Sequence, residues 1–234
     1  MLGDSWHFTQ NDNTGALEAF DRAISLKPYN PLAWRGRGIA LIRLGRSEEA
    51  LEAFNKAISF SPNDVLAWRG RGTALVKTGE ITEALDAFNR AISLNPEFAG
   101  AWQGKSTALL GLKRYDEALE ASDKAINLES HDVAMWGIRG TILGMLERYP
   151  EALEAFEKVI NLDPANATAW GSKGLLLGRL DRLKEALDAF DTAINLNPYD
   201  TIAWKSRNTA LMKLDKIELR PDKSDKGTDV GSPD

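Results

Sequence analysis

The stretch that decides the fold is residues 31–64, PLAWRGRGIALIRLGRSEEALEAFNKAISFSPND. A near copy follows at residues 65–98, VLAWRGRGTALVKTGEITEALDAFNRAISLNPEF. Tryptophan marks the same point of every copy, and six tryptophans are separated by 34 residues each time: Trp34, Trp68, Trp102, Trp136, Trp170 and Trp204. A constant period of this length is typical of an array of structural repeats.

Other residues keep the same register when Pro31 is counted as position 1 of a repeat. Leu41 at position 11, Ala50 at position 20, Phe54 at position 24 and Pro62 at position 32 recur along the chain. The exception at position 24 is Ser122. So many landmarks do not stay in register by chance, and the chain is therefore interpreted as one repeat array.

Each repeat predicts two helices. In the first, helix A (Pro31–Leu44 in the first copy), apolar or small residues recur at positions 4, 8 and 11, the stripe of an amphipathic helix. The second, helix B, contains EALEAFNKAI at residues 49–58 and is rich in strong helix formers. Most helix A segments follow a residue that suits an N-cap, namely Asn30, Asp64, Asp132, Asn166 or Asp200, and only Phe98 departs.

These landmarks resemble the tetratricopeptide repeat (TPR). The resemblance implies an all-α fold, a right-handed α-solenoid of stacked antiparallel helix pairs. We expect five full units at residues 31–64, 65–98, 99–132, 133–166 and 167–200. We also expect a half repeat (helix B) at 14–30, an irregular cap or truncated helix A at 1–13, a capping helix A at 201–219 and a disordered tail at 220–234. The chain departs from the family pattern at position 7, which is always basic, and at position 11, which is leucine.

Composition limits the function. The chain has no cysteine, which excludes disulfides and thiolate chemistry and favours a cytoplasmic setting. Its apolar runs are too short to cross a bilayer. The two histidines, His7 and His131, are far apart and have no companion ligands, so we expect no metal, no cofactor and no catalytic residue. Gly36-Arg37-Gly38 lies inside helix A and follows no strand, so it does not predict a nucleotide loop.

Charge is divided between the two kinds of helix. The net charge is −5, yet positions 1–14 of the six helix A segments contain thirteen Lys or Arg and no Asp or Glu. A helical wheel at about 100° per residue leaves positions 2, 5, 6, 9 and 13 of helix A exposed, and the family resemblance implies that this arc lines a concave groove. The predicted groove residues are Arg35, Arg43, Arg69, Lys77, Thr73, Gln103, Thr107, Thr141, Arg179, Lys205 and Lys213.

Three further expectations come from the same wheel. Arg35, Arg43, Arg69 and Lys77 should form one four-cation patch, and reversing the charge of Arg35 and Arg69 should leave thermal stability nearly unchanged. The basic residues at position 7 should run along the core and pair with carboxylates of helix B. Glycines on the exposed arc, such as Gly36, have two interpretations: they let a ligand backbone approach helix A, or they reflect neutral drift.

The resulting hypothesis is a non-catalytic scaffold that binds a peptide segment of a partner protein, expected to be acidic, in a basic concave groove. Two alternatives stay open: a nucleic acid or phosphate-bearing ligand along the same groove, and an assembly subunit of an enzyme complex. RNA-binding helical repeats carry base-reading side chains in every repeat, whereas the central repeats here offer glycine and aliphatic residues. The exposed ends of the stack also leave room for self-association.

Overall fold

The computed structural model describes the backbone of residues 3–218 and the side chains of residues 12–217. Within those bounds the chain forms twelve α-helices and no strand. The helices are α1 (Gly3–Leu26), α2 (Pro31–Arg43), α3 (Ser47–Phe60), α4 (Val65–Thr78), α5 (Ile81–Leu94), α6 (Ala99–Gly111), α7 (Tyr115–Leu128), α8 (Val133–Met145), α9 (Tyr149–Leu162), α10 (Ala167–Arg179), α11 (Leu183–Leu196) and α12 (Thr201–Glu218). In this part of the chain we find no helix with both the length and the hydrophobicity that a membrane crossing requires.

The predicted alternation of helices A and B is confirmed. Even-numbered helices are the A helices, and odd-numbered helices from α3 onward are the B helices. The N-terminus differs from expectation: α1 is one helix from Gly3 to Leu26, where an irregular cap or truncated helix A was expected over residues 1–13. No proline interrupts this stretch, so nothing in it forces the helix to end. The expected tail at 220–234 lies outside the described residues.

Asparagine and aspartate start the A helices as predicted. The side chains of Asn30, Asp64, Asp132 and Asn166 each accept a hydrogen bond from a backbone N–H in the first turn of the helix that follows. Phe98, before α6, makes no such bond. An N-cap of this kind stabilises a helix by about 0.5–2 kcal/mol relative to alanine, so five of the six A helices, α12 with its cap Asp200 included, have a fixed start.

The chain divides into two units, Met1–Arg148 and Tyr149–Asp234. In the first unit each helix from α1 to α8 packs on the next, and A helices of neighbouring repeats also touch. In the second unit α9, α10, α11 and α12 pack in the same order. The predicted fold class, an all-α stack of helix pairs, is confirmed, and contacts are local in each unit, as expected of a repeat protein.

The repeated tryptophans are structural. The indole N–H of Trp34 donates to the carbonyl of Pro28 at 2.7 Å, and that of Trp68 donates to Pro62 at 2.8 Å. Trp102, Trp136, Trp170 and Trp204 make the equivalent bond to the carbonyl six residues earlier. Each tryptophan therefore ties helix A to the loop before it.

Two of the phenylalanines at position 24, Phe54 and Phe88, are each packed between two glycines. An ideal Cβ on Gly38, in the same repeat, would lie 2.8 Å from the Phe54 ring, and one on Gly70, in the next repeat, would lie 2.3 Å from it. Phe88 lies in the same way between Gly72 and Gly104. Both rings are almost fully buried. Because a Cβ on either side would overlap the ring, these glycines set how closely the neighbouring A helices approach at Phe54 and Phe88.

This packing corrects the interpretation of the exposed-arc glycines at position 6. Gly36, Gly70 and Gly104 each lie against a phenylalanine of the preceding helix B, where a Cβ would come within 2.2–2.3 Å of the ring. They are structural, and neither ligand approach nor drift is needed to explain them. By contrast, a Cβ at Gly137 or Gly171, at position 5, would meet no described heavy atom within 4 Å.

The exception at position 24 follows from the same packing. Where Ser122 replaces phenylalanine, position 8 of the same repeat is Ser106 instead of glycine, and position 6 of the next repeat is Ile138. Ser106 and Ser122 are buried and donate hydrogen bonds to the carbonyls of Ala118 and Leu119, each at 2.8 Å. The smaller residue at position 24 is thus matched by larger neighbours, a compensation that conserves core volume.

The glycine contacts give the first prediction. Gly70→Ala places a methyl group where it overlaps the buried Phe54 ring. We expect overpacking to lower the free energy of unfolding by about 1–3 kcal/mol and to lower the melting temperature. Gly137→Ala is the matched control in the same unit. Its methyl group meets open space in a helix interior, so the free energy of unfolding should rise by about 0.5–1 kcal/mol. Thermal melts followed by circular dichroism compare the two. Equal melting temperatures for both variants would contradict this account of the packing.

Candidate functional site

The basic residues at position 7 have structural roles. Arg37 Nε donates to Asp21 Oδ1 at 2.8 Å, Arg139 to Asp123 at 2.7 Å and Lys173 Nζ to Glu157 at 3.0 Å. Arg207 pairs with Asp191, and Arg71 donates to the amide oxygen of Asn55 at 2.9 Å. Every partner lies 16 residues earlier, in the preceding helix B. The predicted pairing with helix B carboxylates is confirmed for four of the six cations.

The same side chains also lie over tryptophan rings. The charged groups of Arg37, Arg71, Lys105, Arg139 and Lys173 are 5.3–5.9 Å from the ring centroid of the tryptophan three residues earlier. Cation–π contact at partly exposed sites contributes about 0.5–1 kcal/mol. Position 7 is therefore committed to the fold and is not part of a ligand site.

Arg35 is also committed to the fold, contrary to its prediction as a free groove cation. Its Nη1 donates to both carboxylate oxygens of Asp64, at 3.0 and 2.8 Å. Asp64 is the N-cap of the next helix A, and its side chain is 8% exposed. The predicted four-cation patch is therefore wrong as stated, because one member is neutralised by a nearly buried carboxylate.

Arg69 occupies the equivalent position one repeat later and lacks that partner. The residue that corresponds to Asp64 is Phe98, which has no charge. Among the described residues Arg69 is exposed and makes no ion pair, and its Nε lies beside Gly100, where a Cβ would be 3.3 Å away. Its guanidinium is therefore available to a ligand.

A cleft in the first unit surrounds Arg69; we call it the first cleft. It has a volume of about 190 Å³ and gathers four predicted groove residues, Arg69, Thr73, Gln103 and Thr107. The sequence did not predict Val76 or Phe88 in its lining. Phe88 is almost fully buried and still contributes to this surface.

The threonine side chains at position 9 have no free hydroxyl proton to donate to a ligand in the cleft. The hydroxyls of Thr73 and Thr107 donate to the carbonyls of Arg69 and Gln103, each at 3.0 Å. Thr141 and Thr209 make the same bond within their own helices. The hydroxyl proton is used by the helix itself, so these side chains present a methyl group and oxygen lone pairs to a ligand.

The second unit has a larger cleft, of about 340 Å³, between α10, α11 and α12; we call it the second cleft. It brings together three predicted groove cations, Arg179, Lys205 and Lys213. Its floor is apolar or small and consists of Gly174, Leu175, Gly178, Leu183, Phe190 and Ala210. A cluster of positive charge over an apolar floor favours a ligand that carries both carboxylates and an apolar group.

The three cations of the second cleft are not equally free. Lys213 Nζ lies 2.5 Å from Asp181 Oδ1, a pair that is largely exposed and therefore worth little to stability. Among the described residues Arg179 and Lys205 make no ion pair, and both are exposed. The free positive charge of this cleft thus comes from two side chains on neighbouring A helices.

Four predicted groove residues lie outside both clefts, and one of them is Arg35, which pairs with Asp64. Arg43, Lys77 and Thr141 are exposed, and none of them lines the first or the second cleft. Arg43 and Lys77 therefore do not complete a patch around Arg69.

Acidic side chains are held on the B helices by arginine. Arg46 donates two hydrogen bonds of 2.6 Å to Glu49, and these lower the pKa of the glutamate below its usual value. Arg114 with Glu117 and Arg182 with Glu185 repeat the arrangement. In the described part of the chain no group of histidine, aspartate or glutamate side chains has the arrangement of a metal site.

The contrast between Arg35 and Arg69 can be tested directly. Arg35→Gln leaves the nearly buried Asp64 carboxylate without its cation, and we expect a loss of roughly 1–3 kcal/mol of stability. Arg69→Gln makes the same change at an unpaired surface site, and its free energy of unfolding should stay within about 0.5 kcal/mol of wild type. Chemical denaturation measures both. A larger loss for Arg69→Gln than for Arg35→Gln would show that the two roles are assigned the wrong way round.

Comparisons with known proteins agree with this fold. A family model described as tetratricopeptide repeat matches residues 7–65, 69–131 and 139–201, which is well over half of the chain. Comparison with curated protein sequences found no match.

Solved structures give the same result. The crystal structure of YrrB, "a TPR protein with an unusual peptide-binding site", is 25% identical with a TM-score of 0.67, and the alignment covers 82% of this chain and 100% of YrrB. MamA from Desulfovibrio magneticus RS-1 is 24% identical with a TM-score of 0.66, over 73% of this chain and 97% of MamA. The APC/C hetero-tetramer Cut9–Hcn1 matches at 17% identity and a TM-score of 0.77, over 86% of this chain and 40% of the matched chain. The chain belongs to the tetratricopeptide-repeat family.

Proposed function

We propose that this chain is a non-catalytic scaffold that binds an acidic peptide segment of a partner protein in the clefts between neighbouring A helices. The observation that carries the proposal is the second cleft, where Arg179 and Lys205 present free positive charge over an apolar floor. TPR repeats serve as protein-interaction scaffolds, and the proposal adds which ligand binds and where it binds.

Charge distribution supports an acidic ligand. Positions 1–14 of helix A contain no acidic residue in any repeat, so a carboxylate that approaches the clefts meets no like charge at these positions. Arg35 and four of the six cations at position 7 are already paired with a carboxylate of an N-cap or of helix B. Within the clefts, the attraction comes from Arg69 in the first and from Arg179 and Lys205 in the second. Such exposed charges act over a Debye length of about 8–10 Å at physiological salt.

The comparison with YrrB supports the choice of a peptide. YrrB is described as a TPR protein with an unusual peptide-binding site, and the alignment with this chain covers its whole length. A peptide also suits clefts that combine a few cations with small and apolar surfaces, because backbone and side chains can occupy both kinds of surface.

The proposal predicts a charge effect that depends on location. A fluorescein-labelled, glutamate-rich peptide with one central leucine should bind wild type at low salt and weaken as salt rises. Lys205→Glu should lower its affinity by roughly tenfold or more, because it removes an attraction and adds a repulsion inside the second cleft. Lys216→Glu is the matched control, with the same change of charge on α12 but outside the cleft. Fluorescence anisotropy measures all three proteins.

An equal loss of affinity in both variants would contradict the proposal, because the effect would then follow net charge and not the cleft. RNA binding that is lost in Lys205→Glu while the peptide fails to bind would favour the nucleic-acid alternative. Melting temperatures should be unchanged in both variants, since each lysine is exposed and neither makes an ion pair among the described residues.

A further inference from the structure

The two clefts are built on the same plan but differ in size. Each lies between neighbouring A helices and over a phenylalanine at position 24, Phe88 in the first and Phe190 in the second. Their volumes are about 190 and 340 Å³. Pockets that hold small ligands usually measure about 300–1,000 Å³, so only the second cleft is large enough for a bulky group.

Position 12 of helix A accounts for part of this difference. It is Val76 in the first cleft and Gly178 in the second. Val76 packs against the cluster formed by Leu75 and Phe88, whereas a Cβ on Gly178 would meet no described heavy atom within 4 Å. Gly178 is therefore not a glycine that the fold requires, unlike Gly174 on the same helix, where a Cβ would lie 2.7 Å from the Phe190 ring.

The residues around Gly178 indicate which kind of chemical group fits the open space beside it. Leu175, Leu183 and Phe190 form apolar walls and floor, and Leu175 is 49% exposed. Arg179 follows Gly178 directly, and Lys205 lines the same cleft from α12. An apolar group in this space would therefore share the cleft with two cations that make no ion pair among the described residues.

We infer that the second cleft binds one large apolar side chain of an acidic peptide, and that Gly178 sets the size of the side chain that it accepts. The inference rests on the proposed function, since the cations hold the acidic residues on either side of the apolar one. The alternative is that the fold requires glycine at position 12. A required glycine would have an atom close to its Cβ position, and no described atom lies within 4 Å of that position.

The test uses two peptides, the glutamate-rich peptide with a central leucine and the same peptide with a central alanine. On wild type the leucine peptide should bind roughly tenfold more tightly, the order of effect expected when a pocket gains or loses methylene groups. Gly178→Val, which gives the second cleft the residue of the first, should remove this advantage and leave the alanine peptide unchanged. Gly178→Ala should fall between the two.

Gly171→Val is the matched control. Gly171 lies on the same helix, also meets open space and does not line the cleft, so the same loss of helix propensity occurs without filling the space. Its binding of both peptides should equal that of wild type. Melting curves of both valine variants should agree, which removes misfolding as an explanation.

Four results would overturn the inference. If Gly178→Val binds the leucine peptide as wild type does, Gly178 does not set the size. If Gly171→Val loses the leucine peptide equally, the effect belongs to the helix and not to the cleft. If wild type binds both peptides equally well, the proposal of acidic-peptide binding survives and the proposal of an apolar subsite is wrong. If wild type binds neither peptide, the proposed function fails together with this inference.

Discussion

The first unit depends on two phenylalanines at position 24, Phe54 and Phe88, each enclosed by two glycines. Phe54 and Phe88 each fill the space between an A helix of their own repeat and the A helix of the next, and a methyl group on either side would overlap the ring. This contact fixes the spacing of neighbouring A helices. The floor of each cleft is made from the same phenylalanine row, so the packing that builds the repeat also shapes the candidate ligand surface.

Cations on the A helices have two distinct roles that are separated by position. At position 7 they pair with the preceding helix B and lie over tryptophan, which holds repeats together. At position 5 the role depends on the next N-cap: Arg35 meets Asp64, whereas Arg69 faces the uncharged Phe98. The free charge available to a ligand is therefore much smaller than the thirteen cations in the sequence suggest.

Much of the fold and part of the site could be predicted from the sequence. The tryptophan period, the N-caps and the pairing of position 7 follow from a single repeat and its neighbour. The wheel of an isolated helix also assigned Arg179, Lys205 and Lys213 to the exposed arc, but it did not predict that the three line one cleft. It could not predict the pairing of Arg35 or the role of Gly36, because both depend on side chains contributed by an adjacent repeat. The space beside Gly178 depends on three helices at once and has no signal in the sequence.

The central claim is that acidic peptide binds the A-helix clefts, foremost the second. The most direct measurement is a nuclear magnetic resonance titration of isotope-labelled protein with the glutamate-rich leucine peptide, which reports the amides that change on binding. The account predicts shifts concentrated in α10 and α12, around Leu175, Gly178 and Thr209, with smaller shifts around Arg69. Shifts confined to the B helices, with α10 and α12 unchanged, would contradict it.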